Sequence, residues 1–149
     1  MRTNTHTYTH IKTDLMDHFK ACYVVIGRVV HAFISCFLYV IFIRSVSLRG
    51  DSLKTMFVAV AIDGNNHILP IAFGLAMENN PYRFTWFLIR LREALRHGRE
   101  ALFITNMDDV VSSCIKHLFP DSYHGYTYKS VFMYMRTRGV SGRTLQPLF

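Results

Sequence analysis

The chain has 149 residues, half of them hydrophobic and 18% charged, and Lys plus Arg outnumber Asp plus Glu by 17 to 10. That length buries one core of ordinary domain size, so one domain is expected, and the basic balance permits phosphate contact without showing it. Cys22, Cys36 and Cys114 are odd in number and widely spaced, which excludes a CxxC-type zinc site and favours a reducing compartment.

Residues 1 to 20 are polar, rich in Thr and His and without clean periodicity, and read as a disordered or remnant lead. The apolar run from Val29 to Ile43 follows, 15 residues between Arg28 and Arg44 with His31 inside it. A spanning helix needs roughly 20 apolar residues, so the run is short for a membrane segment. The mixed charges ahead of it, and the lack of a small-residue cleavage site after it, disfavour a signal peptide. Its second half, Phe37 to Ile43, is aromatic and β-branched, as in a strand buried on both faces.

Met56 to Ile62 and His67 to Phe73 have the same character and flank Asp63-Gly64-Asn65-Asn66, residues that tolerate positive φ. Three sequential strands then make an antiparallel meander, with Asp63 as a turn residue. Beyond it the period changes. Asn80 and Pro81 suit a helix N-cap and first position, and Phe84, Phe87, Leu88, Leu91 and Leu95 recur at helical spacing up to Gly98. Ala101 to Thr105 reads as a short strand. Val110, Val111, Cys114, Ile115 and Leu118 share one face of a second helix that ends before Pro120. Tyr126 to Met135 is ambiguous between strand and helix, and Lys129, Arg136, Arg138 and Arg143 make the end of the chain basic.

Strand, strand, strand, helix, strand, helix is the order of the ribonuclease H-like α/β fold. The stretches from Leu48 to Asn80, from Trp86 to Leu95 and from Ala101 to Tyr126 resemble the transposase domain of the Mutator-like elements of plant genomes, the MULE or MuDR family. The residues that carry the resemblance are Leu48-Arg49-Gly50, the Asp63 hairpin before Ile68-Leu69-Pro70-Ile71-Ala72-Phe73, the Trp86-Phe87 helix, and Phe119-Pro120 followed by His124 and Tyr126. It covers about Cys36 to Arg138. The domain is therefore expected over 21–138 with a basic tail over 139–149, as an incomplete ribonuclease H-like sheet.

The resemblance implies an ancestral activity, metal-dependent cleavage and transfer of DNA strands. In the family, carboxylates on the first and fourth strands, with a later Glu, bind two Mg²⁺ or Mn²⁺ ions roughly 4 Å apart for in-line phosphoryl displacement. The hairpin is then scaffold for the first catalytic strand. Aligned residue by residue, Arg44 stands at the first Asp position and Asn106 at the second, while Thr127 and Ser130 replace a Cys-x-x-His pair. A cation at Arg44 opposes metal binding: two unit charges about 4 Å apart repel by about 4 kcal/mol at an effective dielectric near 20. Asn106 keeps an oxygen without the charge. No catalytic residue is intact, and no cofactor or metal is expected here.

Simpler roles compete at each position. Asn106 suits an N-cap or turn, Asp108 and Asp109 suit the first turn of a helix more than a displaced metal site, and Asp51 suits a solvated loop. His117, Asp121 and His124 have near-ligand spacing but read as polar surface. Trp86 reads as helix-to-sheet packing rather than a base-stacking platform. The expectation is a degenerate, catalytically inactive MULE transposase domain fragment. The resemblance implies nuclear localisation and DNA as the family's partner, while self-association remains open and no small-molecule substrate is expected. Two alternatives stand beside it: a domesticated non-catalytic DNA-binding or regulatory protein of the far-red impaired response type, and a small membrane-associated protein using Val29 to Ile43.

Overall fold

The computed structural model describes residues 7–36, 39–49, 54–77, 81–95 and 100–139. The elements in chain order are β1 (Tyr8–Thr13), β2 (Phe19–Val25), α1 (Gly27–Cys36), β3 (Val40–Leu48), β4 (Lys54–Ile62) and β5 (Ile68–Ala76). They are followed by α2 (Pro81–Leu95), β6 (Leu102–Thr105), α3 (Asp109–Leu118), β7 (Tyr123–Tyr126) and α4 (Tyr128–Thr137). All seven strands form one sheet in the order β1-β2-β5-β4-β3-β6-β7.

The meander forms as expected. β3 pairs antiparallel with β4 and β4 with β5, and β6 lies parallel beside β3. β7 then adds in parallel outside β6. This is the ribonuclease H-like arrangement, in which the crossover through α2 returns the chain to the first strand of the meander.

Two expectations need correction. Residues 1 to 20 are not simply a disordered lead: β1 and the start of β2 lie within them, and the hairpin they make joins the sheet through β2 and β5. Three of the β2 residues, Ala21, Tyr23 and Val25, are fully buried at alternate positions. The period-2 signal sits mostly after residue 20, while β1 is an exposed edge strand whose composition is that of surface. Ile11, Leu15 and Met16 stand exposed on this hairpin.

The run from Val29 to Ile43 is not one element. Its first half is α1, with Val30 and Phe33 buried and His31 exposed, and the strand begins at Val40 and continues to Leu48, beyond the expected end at Ile43. Phe37 and Leu38 lie outside the described residues. An unbroken apolar run hides whether its period is 3.6 or 2, which is why composition alone could not divide it. At 10 residues α1 is far shorter than a membrane span, and among the described residues no helix is long and apolar enough to cross a membrane.

The core lies between one face of the sheet and α1, α2 and α3. Strand β4 contributes Phe57, Ala59 and Ala61, β3 Ile41 and Ile43, and β6 Phe103, while all five apolar positions expected on α2 are buried. Trp86 packs edge-on against His10 and Tyr23, so it is helix-to-sheet packing. Gly74 lets α2 approach: a Cβ there would sit 2.6 Å from the ring of Phe87. Pro70 is tolerated within β5 because a register shift at Ala59/Val60 leaves it beside a bulge, beyond the end of β2.

The hairpin turn is built around Asp63, as expected. Asp63 Oδ1 accepts from the amides of Asn65 and His67, each at 2.8 Å, and Oδ2 lies 2.9 Å from His67 Nδ1. Those bonds, with the His67 backbone contact the largest, hold its carboxyl below the usual carboxylate range. Asn66 takes the left-handed conformation, φ 64°, and Gly64 does not need it.

Candidate functional site

The parallel pairing of β3 with β6 sets Val40 against Leu102, Ile41 against Phe103 and Phe42 against Ile104. Two residues further along, the same register brings Arg44 opposite Asn106. Both side chains fall on the sheet face away from Ile41, Ile43, Phe103 and Thr105, because side chains alternate along a strand. Arg44, in the middle of β3, thus lies level with Asn106, which directly follows the carboxyl end of the parallel strand β6, the end at which an α/β sheet places its ligands.

They meet in an open groove of about 510 Å³, completed by Met107 and by Lys129, Ser130, Met133, Tyr134 and Thr137 of α4. Asn106 is not the helix N-cap. That role belongs to Asp108, whose Oδ1 accepts from the amides of Val110 and Val111 at 2.9 and 3.0 Å. Asn106 Oδ1 instead lies 3.2 Å from the Thr127 hydroxyl, and that hydroxyl lies 3.1 Å from Ser130 Oγ. Ser130 Oγ in turn donates to the Thr127 carbonyl at 2.9 Å. The four positions singled out in the sequence are therefore neighbours. Arg44 and Asn106 face each other across two strands, and Thr127 and Ser130 tie the start of α4 to Asn106.

The donor set does not suit a divalent ion. Hard cations require anionic oxygens, and among the described residues the groove is lined by two cations and no carboxylate. Asp108 is engaged by the helix it caps, and Asp109 is an exposed first-turn residue of α3. Among the described residues no three His, Cys, Asp or Glu side chains cluster as a metal site. Asp51 lies outside the described residues, as do the residues of the tail beyond Gly139.

The remaining histidine candidate has a structural task. Thr105, 2% exposed, donates its one hydroxyl hydrogen to the Asn106 carbonyl at 2.9 Å, so His124 Nε2, 2.8 Å away, is the donor to Thr105 Oγ1. Burial, with a smaller contribution from Lys116, pushes the His124 pKa below the ordinary histidine value. Tyr126, two residues on, places its hydroxyl 3.0 Å from Ser112 Oγ, which donates to the Asp108 carbonyl at 2.7 Å. His124 and Tyr126 together bind β7 to the end of β6 and to the start of α3. His117 and Asp121 stay exposed, and nothing joins them to His124.

Sequence reasoning missed Lys129 and Tyr134 as site residues. Their signal was the α4 period: 129, 130, 133, 134 and 137 form one helical stripe, but that segment could not be told from a strand. It also placed Val110 on the buried face of α3, where Ser112 stands instead and Val110 is exposed.

The family profile of the MULE transposase domain matches residues 48–134, more than half of the chain. The chain belongs to the MULE transposase domain family. The match spans the meander from the end of β3, the α2 crossover, β6, α3, β7 and most of α4, and so includes Asn106, Thr127 and Ser130. Arg44 lies four residues ahead of it, and the β3–β6 register sets it level with Asn106. Among solved structures the MULE domain is similar to a chain described as the Mos1 transposase catalytic domain with Raltegravir and Mn, at 13% identity and a TM-score of 0.37. The alignment covers 68% of this chain and 58% of that one. At that distance the fold of the MULE domain rests on its own strand order. A search among curated proteins gives no match.

Proposed function

We propose that this MULE domain derives from a DNA transposase and has lost metal-dependent strand cleavage. One observation supports the reading: the neighbouring positions on β3 and just past β6 that in the family would hold two carboxylates side by side hold Arg44 and Asn106, in register and in one groove with Lys129. Two-metal displacement relies on anionic ligands that clamp the attacking and leaving oxygens, and cations at those points repel the metals. A nuclear location and DNA as partner follow from descent and belong to the same proposal. So does the non-catalytic role, since the cation-lined groove retains chemistry that suits phosphate.

The test pairs calorimetric titration of Mn²⁺ with a nicking assay on terminal-repeat DNA. The unmodified chain should show neither tight Mn²⁺ binding nor nicking, and Arg44→Asp combined with Asn106→Asp should gain Mn²⁺ binding. Metal-dependent nicking by the unmodified chain, lost on Asp108→Ala or Asp109→Ala, would mean that the metal site has moved to the start of α3.

A further inference from the structure

We infer that the groove between the middle of β3, the end of β6 and the flank of α4 holds a phosphodiester of a nucleic-acid backbone directly, with Arg44 and Lys129 supplying the positive charge without any metal. The inference rests on the reading of this groove as a disabled metal site, and it names the ligand that the altered groove would take.

Among the described residues the two charges are uncompensated. The ion pairs among the described residues are those of Asp14 with His18 and Lys20, Asp63 with His67, and Arg90 with Glu93. Neither Arg44 nor Lys129 takes part in one, and among the described residues no acidic side chain lines the groove. The carboxylate nearest in sequence, Asp108, is held by the amides of Val110 and Val111. Two like charges sharing one groove repel, and an anion between them relieves that repulsion.

The groups also match the ligand in kind. A guanidinium presents a planar fork that fits two phosphate oxygens, and an ammonium adds a point charge. The hydroxyls of Ser130 and Thr137 donate to the carbonyls of Thr127 and Tyr134, so the recognition falls to Arg44, Lys129, the Asn106 amide and the Tyr134 hydroxyl. Arg138, its guanidinium carbon 5.2 Å from the centre of the Tyr134 ring, adds a third cation beside the groove. The α4 residues run as a stripe along the helix, which makes the groove elongated and open rather than a closed cup. That shape suits a polymer backbone better than a free phosphate ion, and the chain's net charge of +7 draws a polyanion towards it.

The experiment is fluorescence anisotropy with a labelled DNA duplex and the full chain in EDTA, across a series of salt concentrations. The wild type should bind without metal. Arg44→Ala and Lys129→Ala should each weaken binding and lower the slope of log K against log salt by about one, the value for one lost phosphate contact. Lys12→Ala removes the same charge from β1, at the opposite edge of the sheet, and should leave both quantities nearly unchanged. Circular dichroism melts show whether each variant is folded, and Arg44→Lys should restore most of the salt slope. Absence of binding, binding only with Mn²⁺, an equal loss in Lys12→Ala, or displacement by polyglutamate at matched charge would each overturn the inference. The nicking assay is independent: a chain that neither nicks nor binds defeats this inference alone, and one that nicks defeats the parent reading.

Discussion

The hairpin turn at Asp63 and the groove at Arg44 use the same kinds of residue to opposite ends. At the turn, a carboxylate, two asparagines and a histidine lie within five positions, and Asp63 finds its partners at Asn65 and His67. At the groove, an arginine from β3, an asparagine from the end of β6 and a lysine from α4 are brought together from distant parts of the chain, and among the described residues the two cations take part in no ion pair. A polar cluster that closes on itself holds structure. One assembled by the tertiary fold with unspent charge is available to a ligand.

If the meander is scaffold and the groove is the working end, damage to the first should be read in stability. The largest effect is expected at Gly74, where a methyl group meets the fully buried ring of Phe87. Gly74→Ala should cost about 1–3 kcal/mol, the usual range for overpacking a filled core. Denaturant unfolding measures it, and DNA affinity of the folded fraction should stay the same. A Gly74→Ala chain of unchanged stability would mean that α2 can lift from the sheet and that the scaffold is looser than described.

A smaller effect, one of pH, should come from the strand next to the groove. The His124 pKa is lowered chiefly by burial, so the unfolded chain binds the proton more tightly than the folded one. The stability that neutral His124 confers is therefore present above the ordinary histidine pKa and is lost as pH falls from there through the lowered value. Thermal melts between about pH 7.5 and 5.5 should show a falling midpoint, with a shallower fall in His124→Gln. Equal slopes would place the acid-sensitive group elsewhere. The carboxyls of Asp14 and Asp63, also held below the usual range, act in the same direction but only at lower pH.

The smallest change is expected from Asp63→Ala. It removes the acceptor of two backbone amides at an exposed turn, so the melting midpoint should fall slightly while groove binding stays as it was. A loss of DNA binding in this variant would blur the division between turn and groove.

Much of the fold was legible because its signals are local. The turn at Asp63 follows from side chains that bond amides two and four residues away. The α2 face follows from apolar residues at 3.6 spacing, and the parallel placement of β6 follows from the crossover length. The run from Val29 to Ile43 was not legible, because an all-apolar segment has no period to read, and β1 was not, because an exposed edge strand has the composition of surface.

For the site, family likeness and spacing directed attention to Arg44, Asn106, Thr127 and Ser130, the positions expected to differ from the family pattern. Sequence alone could also determine that Arg44 carries a cation and Asn106 no charge. Only the tertiary structure decided that these residues share one groove, that Lys129 joins them, and that Asp108 is occupied as a helix cap. The physical reason is range. Capping, turns and periodicity act over a few residues along the chain, whereas the pairing of β3 with β6 and the meeting of Arg44 with α4 join segments more than fifty positions apart, through a register that no local pattern encodes.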